Sequence, residues 1–358
     1  MDDLERYSRQ MRFAGFGPST SLGALSESSS RNGEEAQRRL RASRVALVGC
    51  GALGSVSSSL LVRAGVGELR LIDRDFVELN NLQRQMLFDE DDARLGLPKA
   101  EAARRKLARV NSEVKLDARI VDLNPANAES LLSGVDLILD AADNFETRYL
   151  VNDVAVKTGT PWIYAAALGS EGRVMTILPG ETPCLRCIFP DVPRPGESPT
   201  CETAGILGPA VAVTASLQSA EAMKLLAGRR DVLRRGLLAL DVWQGGLRET
   251  FVSATRREDC PACALRRFEF LEGAASTSGV KLCGRNAVHV SPSAGVSVDL
   301  AALAARLDPA SITLRTDFLL RFQAEGREIT VFSDGRAIVK GTSDPVMARS
   351  LYAKHVGA

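Results

Sequence analysis

The sequence predicts an α/β protein built on a doubly wound, mostly parallel sheet, followed by a small C-terminal α+β domain. Three observations predict it. Residues 44–49 form a short apolar, β-branched run that ends in the G-x-G-x-x-G of Gly49, Cys50, Gly51, Ala52, Leu53 and Gly54. An apolar helical stretch then leads into the alternating residues 68–73, and strand-like and helix-like segments keep alternating to about Leu139. Past residue 268 the pattern becomes short alternating runs broken by Glu325-Gly326 and Asp334-Gly335 turns.

Taken in order, the chain begins with the compact basic Arg6-Tyr7-Ser8-Arg9-Gln10, which reads as a solvated arm. Residues 18–33 are rich in Ser and Gly and predict a flexible surface loop, and residues 34–41 a charged helical turn. The strand, glycine turn, helix and strand of residues 43–75 form a Rossmann-like nucleotide-binding unit. In it Gly49 permits the tight turn, Gly51 lets a ligand approach the backbone, and Gly54 allows close helix–strand packing. The helix N-terminus then offers N–H groups to a phosphate. Asp73 closes the second strand, where a carboxylate can accept hydrogen bonds from ribose hydroxyls.

The polar run from Asp75 through Asn81 and Arg84 to Gln85 lies beyond a strand's carboxyl end, where open α/β sheets bind ligands. Gly96-Leu97-Pro98-Lys99 opens a helix. A cation in a first helical turn opposes the dipole, so Lys99 is better explained by an anionic ligand than by helix stability. Asp140 and Asp143 fall at the end of the fourth strand, where a carboxylate can hold Mg²⁺ against phosphate; Asp143 or Asn144 would equally cap the next helix. Cys184-x-x-Cys187 and Cys260-x-x-Cys263 are two knuckles that suit a closed, structural tetrahedral Zn²⁺ site, with a redox pair as the competitor. A long apolar helix is expected from about Pro209 to Leu226.

Composition narrows the class. The 358 residues are 45% hydrophobic with a formal charge of +1, which gives no reason to expect nucleic acid or a membrane surface as partner. No apolar run approaches a membrane span and no signal-peptide core is present. Seven cysteines, four of them paired in knuckles, suit a reducing compartment. A cytoplasmic protein is expected.

The motifs RYSRQ, VGCGALG, the D-x-D of Asp73 and Asp75, NNLQRQ, GLPK, the D-N-x-x-x-R of Asp143, Asn144 and Arg148, both C-x-x-C pairs and the T-C-x-x-A-G around Cys201 occur in one order. In that order they resemble the MoeB/ThiF/HesA adenylyltransferases, bacterial relatives of ubiquitin-activating enzymes, over about residues 6–267. The resemblance implies adenylation, by ATP, of the C-terminal glycine carboxylate of a ubiquitin-like sulfur carrier ending in Gly-Gly, with release of pyrophosphate. By motif position it gives Asp73 to the ribose, Arg84 and Lys99 to the phosphates, Asp143 to Mg²⁺ and Asn81 to support of the polyphosphate. It brings Arg9 from the other subunit of a homodimer as an arginine finger. Cys201 matches a cysteine that joins the carrier covalently in some members and is dispensable in others.

Two departures stand out. The Ser-rich stretch lengthens the tether on Arg9, and the tail carries no adenylation motif. Some relatives have a rhodanese domain there, but Cys283 comes too early in the tail for one, so a carrier-docking or structural appendage is expected. The implied organisation is an arm over residues 1–43, an adenylation domain with the zinc site over 44–268, and the small domain over 269–358. An NAD-dependent oxidoreductase would share the glycine turn and Asp73 but has no reason for Arg84, Lys99, Asp143 or four paired cysteines. A non-catalytic scaffold would be expected to lack one of Arg84, Lys99 and Asp143, and none is missing.

Overall fold

A computed structural model describes residues 4–13, 15–17, 27–191, 201–252, 255–273, 287–290 and 297–357. The chain divides into two compact units, Met1–Ala93 with Pro98–Ser276, and Arg94–Leu97 with Thr277–Ala358.

In the larger unit, a 3₁₀ turn and α1 (Ser8–Met11) precede α2 (Glu27–Ala42), β1 (Arg44–Val48), α3 (Ala52–Ala64) and β2 (Glu68–Ile72). The short α4 (Glu90–Arg94), α5 (Lys99–Val110), β3 (Lys115–Arg119), α6 (Ala128–Leu132), β4 (Leu137–Asp140) and α7 (Phe145–Thr158) follow. Then come β5 (Trp162–Leu168), β6 (Glu171–Ile177), α8 (Leu185–Ile188), α9 (Cys201–Ala204), α10 (Gly208–Leu226), β7 (Gly236–Asp241) and β8 (Gly246–Phe251).

The eight strands run β3-β2-β1-β4-β5-β6-β7-β8. Pairing is parallel from β3 to β5 and antiparallel from β5 to β8. After β1 the chain first builds outward through β2 and β3, then returns to place β4 on the other side of β1. That reversal opens a crevice beyond the carboxyl ends of β1 and β4. The burial of the first three residues of β4, and of the last four of β1, explains their apolar sequences, while Asp140 is buried as a charge at the end of β4. Trp162, Tyr149 and Tyr164 are the largest side chains of the core.

The first part of the chain departs from the sequence reading. Residues 18–26 lie outside the described residues, but 27–33 belong to the 16-residue α2 rather than to a loop. Gly33 serves close approach instead of flexibility: a Cβ there would stand 2.1 Å from the Met11 carbonyl oxygen. Nor is the arm simply solvated. Tyr7 is buried, and its hydroxyl accepts from Asn111 Nδ2 at 2.9 Å. Arg6 donates to the Val110 carbonyl at 2.8 Å, and Gln10 and Gln37 both donate to the Ala64 carbonyl.

The smaller unit is α+β. Its strands β9 (Ala287–Val290), β10 (Ile312–Arg315), β11 (Leu319–Ala324), β12 (Arg327–Phe332) and β13 (Ala337–Lys340) form an antiparallel sheet ordered β10-β11-β12-β13-β9. Two helices, α11 (Leu300–Arg306) and α12 (Pro345–His355), pack on it through Leu303, Leu351 and Tyr352. Glu325 and Gly326 both have positive φ, 51° and 72°, the two-residue turn that matches the twist of a tight hairpin. Cys283 lies outside the described residues.

Candidate active site

Three loops meet at the crevice. In the first, the Gly49 N–H donates to the Ile72 carbonyl at 2.8 Å and φ is +96°. A Cβ on Gly49 would stand 2.4 Å from the Ala141 oxygen, and one on Gly54 2.0 Å from the Gly49 oxygen, so both glycines are required by the protein's own packing. Gly51 differs. Among the described residues, the one atom within 4 Å of its missing Cβ is Gln85 Nε2, at 3.6 Å. As the N-cap of α3 it adds no side-chain cap, which leaves the helix end available to an anion.

The second loop follows β2. The Asp73 carboxylate accepts from the Cys50 N–H at 2.6 Å and the Asp75 N–H at 2.7 Å, tying the glycine turn to the strand end. Burial pushes the Asp73 carboxyl up, while Lys99 pulls it down. Lys99 itself is buried, with Nζ 3.2 Å from Asp75 Oδ2 and its N–H donating to the Asp75 carbonyl at 2.8 Å. Burial works against its charge, but Asp75, Asp73 and Asp143 outweigh it and raise its pKa. The cation in the first turn therefore already has an internal counter-ion, Asp75, which sequence reasoning quoted in a motif without assigning it this part.

Further along the same loop, Asn81 is buried and committed to shaping it: Oδ1 accepts the Glu78 N–H at 3.2 Å and Nδ2 donates to Asn80 Oδ1 at 2.8 Å. Arg84 is half-buried and donates to the Asn80 carbonyl at 2.9 Å. The first residue of α10 abuts this segment, since a Cβ on Gly208 would lie 3.0 Å from the Gln83 oxygen. Gln85, which the sequence marked only as the end of this polar run, is buried beside Gly51, and its Oε1 has no hydrogen-bond partner among the described residues. The orphaned atom is an acceptor beside the open Gly51, so it fits a hydrogen-bond donor of a bound nucleotide, such as a ribose hydroxyl or a base amino group.

The third loop follows β4. Asn144 is the N-cap of α7, its Oδ1 accepting the Thr147 N–H at 2.9 Å, so capping does not fall to Asp143. Asp143 is exposed and close enough to Lys99 to raise its pKa. The structure thus gathers Gly49, Gly51, Gly54, Asp73, Lys99 and Asp143 at one edge. It does not bring Arg9 there. Arg9 is exposed on α1, whose neighbours hold the arm against the C-terminal ends of α3 and α5, whereas Gly51 and Lys99 sit at the N-terminal ends. The 13 residues of α3 span about 20 Å, farther than one arginine side chain reaches. The Cys201 side chain lies outside the described residues.

The four cysteines do come together. Their Sγ atoms all lie within 4.8 Å of one another, with Cys184–Cys260 at 3.6 Å, Cys187–Cys263 at 3.4 Å and Cys184–Cys187 at 4.0 Å. A tetrahedral Zn²⁺ with Zn–S bonds of about 2.3 Å needs sulfurs about 3.8 Å apart, so the cluster could hold zinc. A second layer fixes it. Asn152 Oδ1 accepts the Leu185 N–H at 2.8 Å, Asp153 Oδ2 accepts the Phe270 N–H at 2.9 Å, and Arg186 pairs with Glu269 at 3.1 Å.

A glycine turn at the reversal of strand order, a carboxylate at the end of β2 and an acid-flanked lysine define a nucleotide-binding α/β enzyme. The chain belongs to the ThiF family, which it matches over residues 7–262. It is 40% identical over 355 residues to the sulfur carrier protein ThiS adenylyltransferase of Bacillus subtilis (strain 168), covering 98% of this chain and 99% of that one. It is 39% identical over 267 residues to the sulfur carrier protein adenylyltransferase of Thermus thermophilus, covering 73% of this chain and 91% of that one. To the adenylyltransferase and sulfurtransferase MOCS3 of Sus scrofa it is 37% identical over 302 residues, covering 83% of this chain and 62% of that one. The solved structure of E. coli MccB with ATP shares the fold, with a TM-score of 0.60 at 24% identity, over 72% of this chain and 74% of that one. The protein is an adenylyltransferase of the kind related to ubiquitin-activating enzymes.

Proposed function

We propose that the enzyme uses ATP to adenylate the C-terminal glycine carboxylate of a ubiquitin-like sulfur carrier ending in Gly-Gly, releasing pyrophosphate. The observation that carries this reading is the convergence of Gly51, Asp73, Lys99 and Asp143 at the β1–β4 crevice. The carrier is of the kind used in thiamine or molybdenum-cofactor sulfur transfer. A ThiS-like carrier is favoured, because the Bacillus subtilis relative matches the C-terminal unit as well as the family core.

The chemical difficulty is that one anion must attack another. A carboxylate oxygen bonds to the α-phosphorus as the bond to the pyrophosphate oxygen breaks, so the site must neutralise charge and hold the groups in line. Asp73 uses two of its four acceptor positions on backbone N–H groups and keeps the others for ribose hydroxyls. Lys99 and Arg84 face the phosphates, and Asn81 supports them through the loop that it shapes. Asp143 would hold Mg²⁺, which when bound would neutralise phosphate charge. Arg9, out of reach of its own crevice, completes the site of a second subunit in a homodimer. Cys184, Cys187, Cys260 and Cys263 hold one structural Zn²⁺, a thiolate site that suits a reducing cytoplasm. Among the described residues, no helix is long and apolar enough to cross a membrane.

Exchange of labelled pyrophosphate into ATP tests the reading. It should require Mg²⁺ and a carrier with a free C-terminal glycine, and should survive Cys201→Ala, because adenylation needs no nucleophile from the enzyme. Exchange without carrier, or retention of NAD in place of ATP, overturns it.

A further inference from the structure

A buried ion pair holds the turn that delivers Asp143. Asp140 ends β4 with no exposed surface, and its Oδ1 accepts the Ala142 N–H at 2.9 Å. Its Oδ2 stands 3.3 Å from Arg148 Nε. Arg148 in turn sends Nη2 to the Ala142 carbonyl at 2.7 Å and to the Ala165 carbonyl at 3.5 Å. Its guanidinium carbon lies 5.4 Å from the Phe145 ring centre and 5.3 Å from that of Tyr164. One ion pair thus fixes both the N–H and the C=O of Ala142, the residue just before Asp143. Behind it, Gln218 donates to the Asp140 carbonyl at 2.7 Å and the Ile163 carbonyl at 3.0 Å, and its own Oε1 accepts from Ser57 at 2.9 Å. In front, the Ala141 carbonyl meets the glycine turn so closely that Gly49 has no room for a Cβ.

Taking both charges out of water is costly, and a buried pair seldom stabilises a fold more than apolar residues of the same shape would. Its use here is geometric. We infer that Asp140 and Arg148 are positioning residues that hold the Asp143 turn and the Gly49 turn at a fixed separation and so set how far Mg²⁺ tightens ATP binding. This rests on the reading that Asp143 anchors Mg²⁺.

The test measures ATP binding by equilibrium dialysis in Mg²⁺ and in EDTA for full-length Asp140→Asn, Arg148→Lys and Asp143→Ala, together with hydrogen exchange across residues 141–147. Groups that orient a metal ligand typically matter by about 10- to 100-fold, so the Mg²⁺-dependent tightening should shrink by about tenfold or more in all three. Affinity in EDTA and zinc content should hold. Hydrogen exchange should rise in the two pair variants but not in Asp143→Ala. Equal losses of affinity in Mg²⁺ and EDTA, or an intact Mg²⁺ effect in the pair variants alone, overturn the inference. If Asp143→Ala itself keeps the Mg²⁺ effect, the Mg²⁺ assignment falls instead. Hydrogen exchange then decides the positioning role, which stands if the turn loosens and falls if it stays protected. Should Asp140→Asn fail to fold, Arg148→Lys carries the test with the cation retained.

Discussion

At the nucleotide edge a buried charge has accessible neighbours: the Lys99 side chain is only 9% exposed, but its partner Asp75 is 42% exposed and Asp143 is open to solvent on the next loop. At the cysteine cluster three of the four thiols are buried, Cys184 at 1%, Cys187 at 5% and Cys260 at 0% exposure, and Asn152 and Asp153 beside them accept backbone N–H groups. One helix serves both. Asn144, its N-cap, and Arg148 of α7 support the first region, while Tyr149, Asn152 and Asp153 support the second. A site that turns over must leave charged groups within reach of substrate, whereas a site that staples chain segments can bury its groups against backbone. Damage to the two should therefore separate, the first losing chemistry without stability and the second losing stability before chemistry.

The largest effect is expected from Asp143→Ala. It should abolish pyrophosphate exchange and leave zinc content and thermal stability near those of the parent protein, because the side chain is exposed and caps no helix. A variant that unfolds would merge the two regions and break the comparison. Next comes Arg9→Ala, which should cost on the order of a thousandfold in exchange if it acts as an arginine finger. Mixing Arg9→Ala with Asp143→Ala subunits should restore part of the activity, since a mixed dimer regains one site with both residues intact. No recovery despite proven subunit exchange would mean that the site is not shared. Cys260→Ser inverts the pattern: zinc should be lost and the melting temperature should fall, with residual exchange in whatever fraction stays folded. Full zinc occupancy in that variant, read by metal analysis, would sink the four-thiolate assignment.

The nucleotide edge was largely legible in the sequence, for a physical reason. Glycines forced by backbone contact, as at Gly49 and Gly54, and charges held at strand ends leave local patterns that need no knowledge of the rest of the chain. What stayed hidden depends on long-range packing. The link from Gln218 to the Asp140 carbonyl crosses 78 residues, and in a helix that also carries Thr214, Ser219 and Glu221 nothing marks Gln218 out. Asp75 was visible as an acid, but its pairing with Lys99 depends on α5 starting beside the β2 loop. The misreading of residues 27–33 has the opposite cause: Ser and Gly look like a loop unless the neighbour that needs the glycine, here the Met11 carbonyl, is known.

The smallest effect sharpens the contrast from the structural side. Asp153 is buried under the cysteine lobe, and burial raises its carboxyl from the usual 3.8 to about 7 against the pull of the Phe270 and Leu271 N–H groups. A carboxyl raised in the folded state favours folding while it is protonated. Its contribution is complete below about pH 4 and is lost as pH rises through about 7, with a slope of at most about 1.4 kcal/mol per pH unit. Asp153→Asn keeps an acceptor for the Phe270 N–H and carries no charge at any pH, so it should gain on the parent protein as pH rises from 5 to 8. Melting temperatures of the two proteins should converge or cross over that range while exchange activity is unchanged. Melting curves that stay parallel across the range would show that Asp153 is ionised throughout, as an open carboxylate at the nucleotide edge would be.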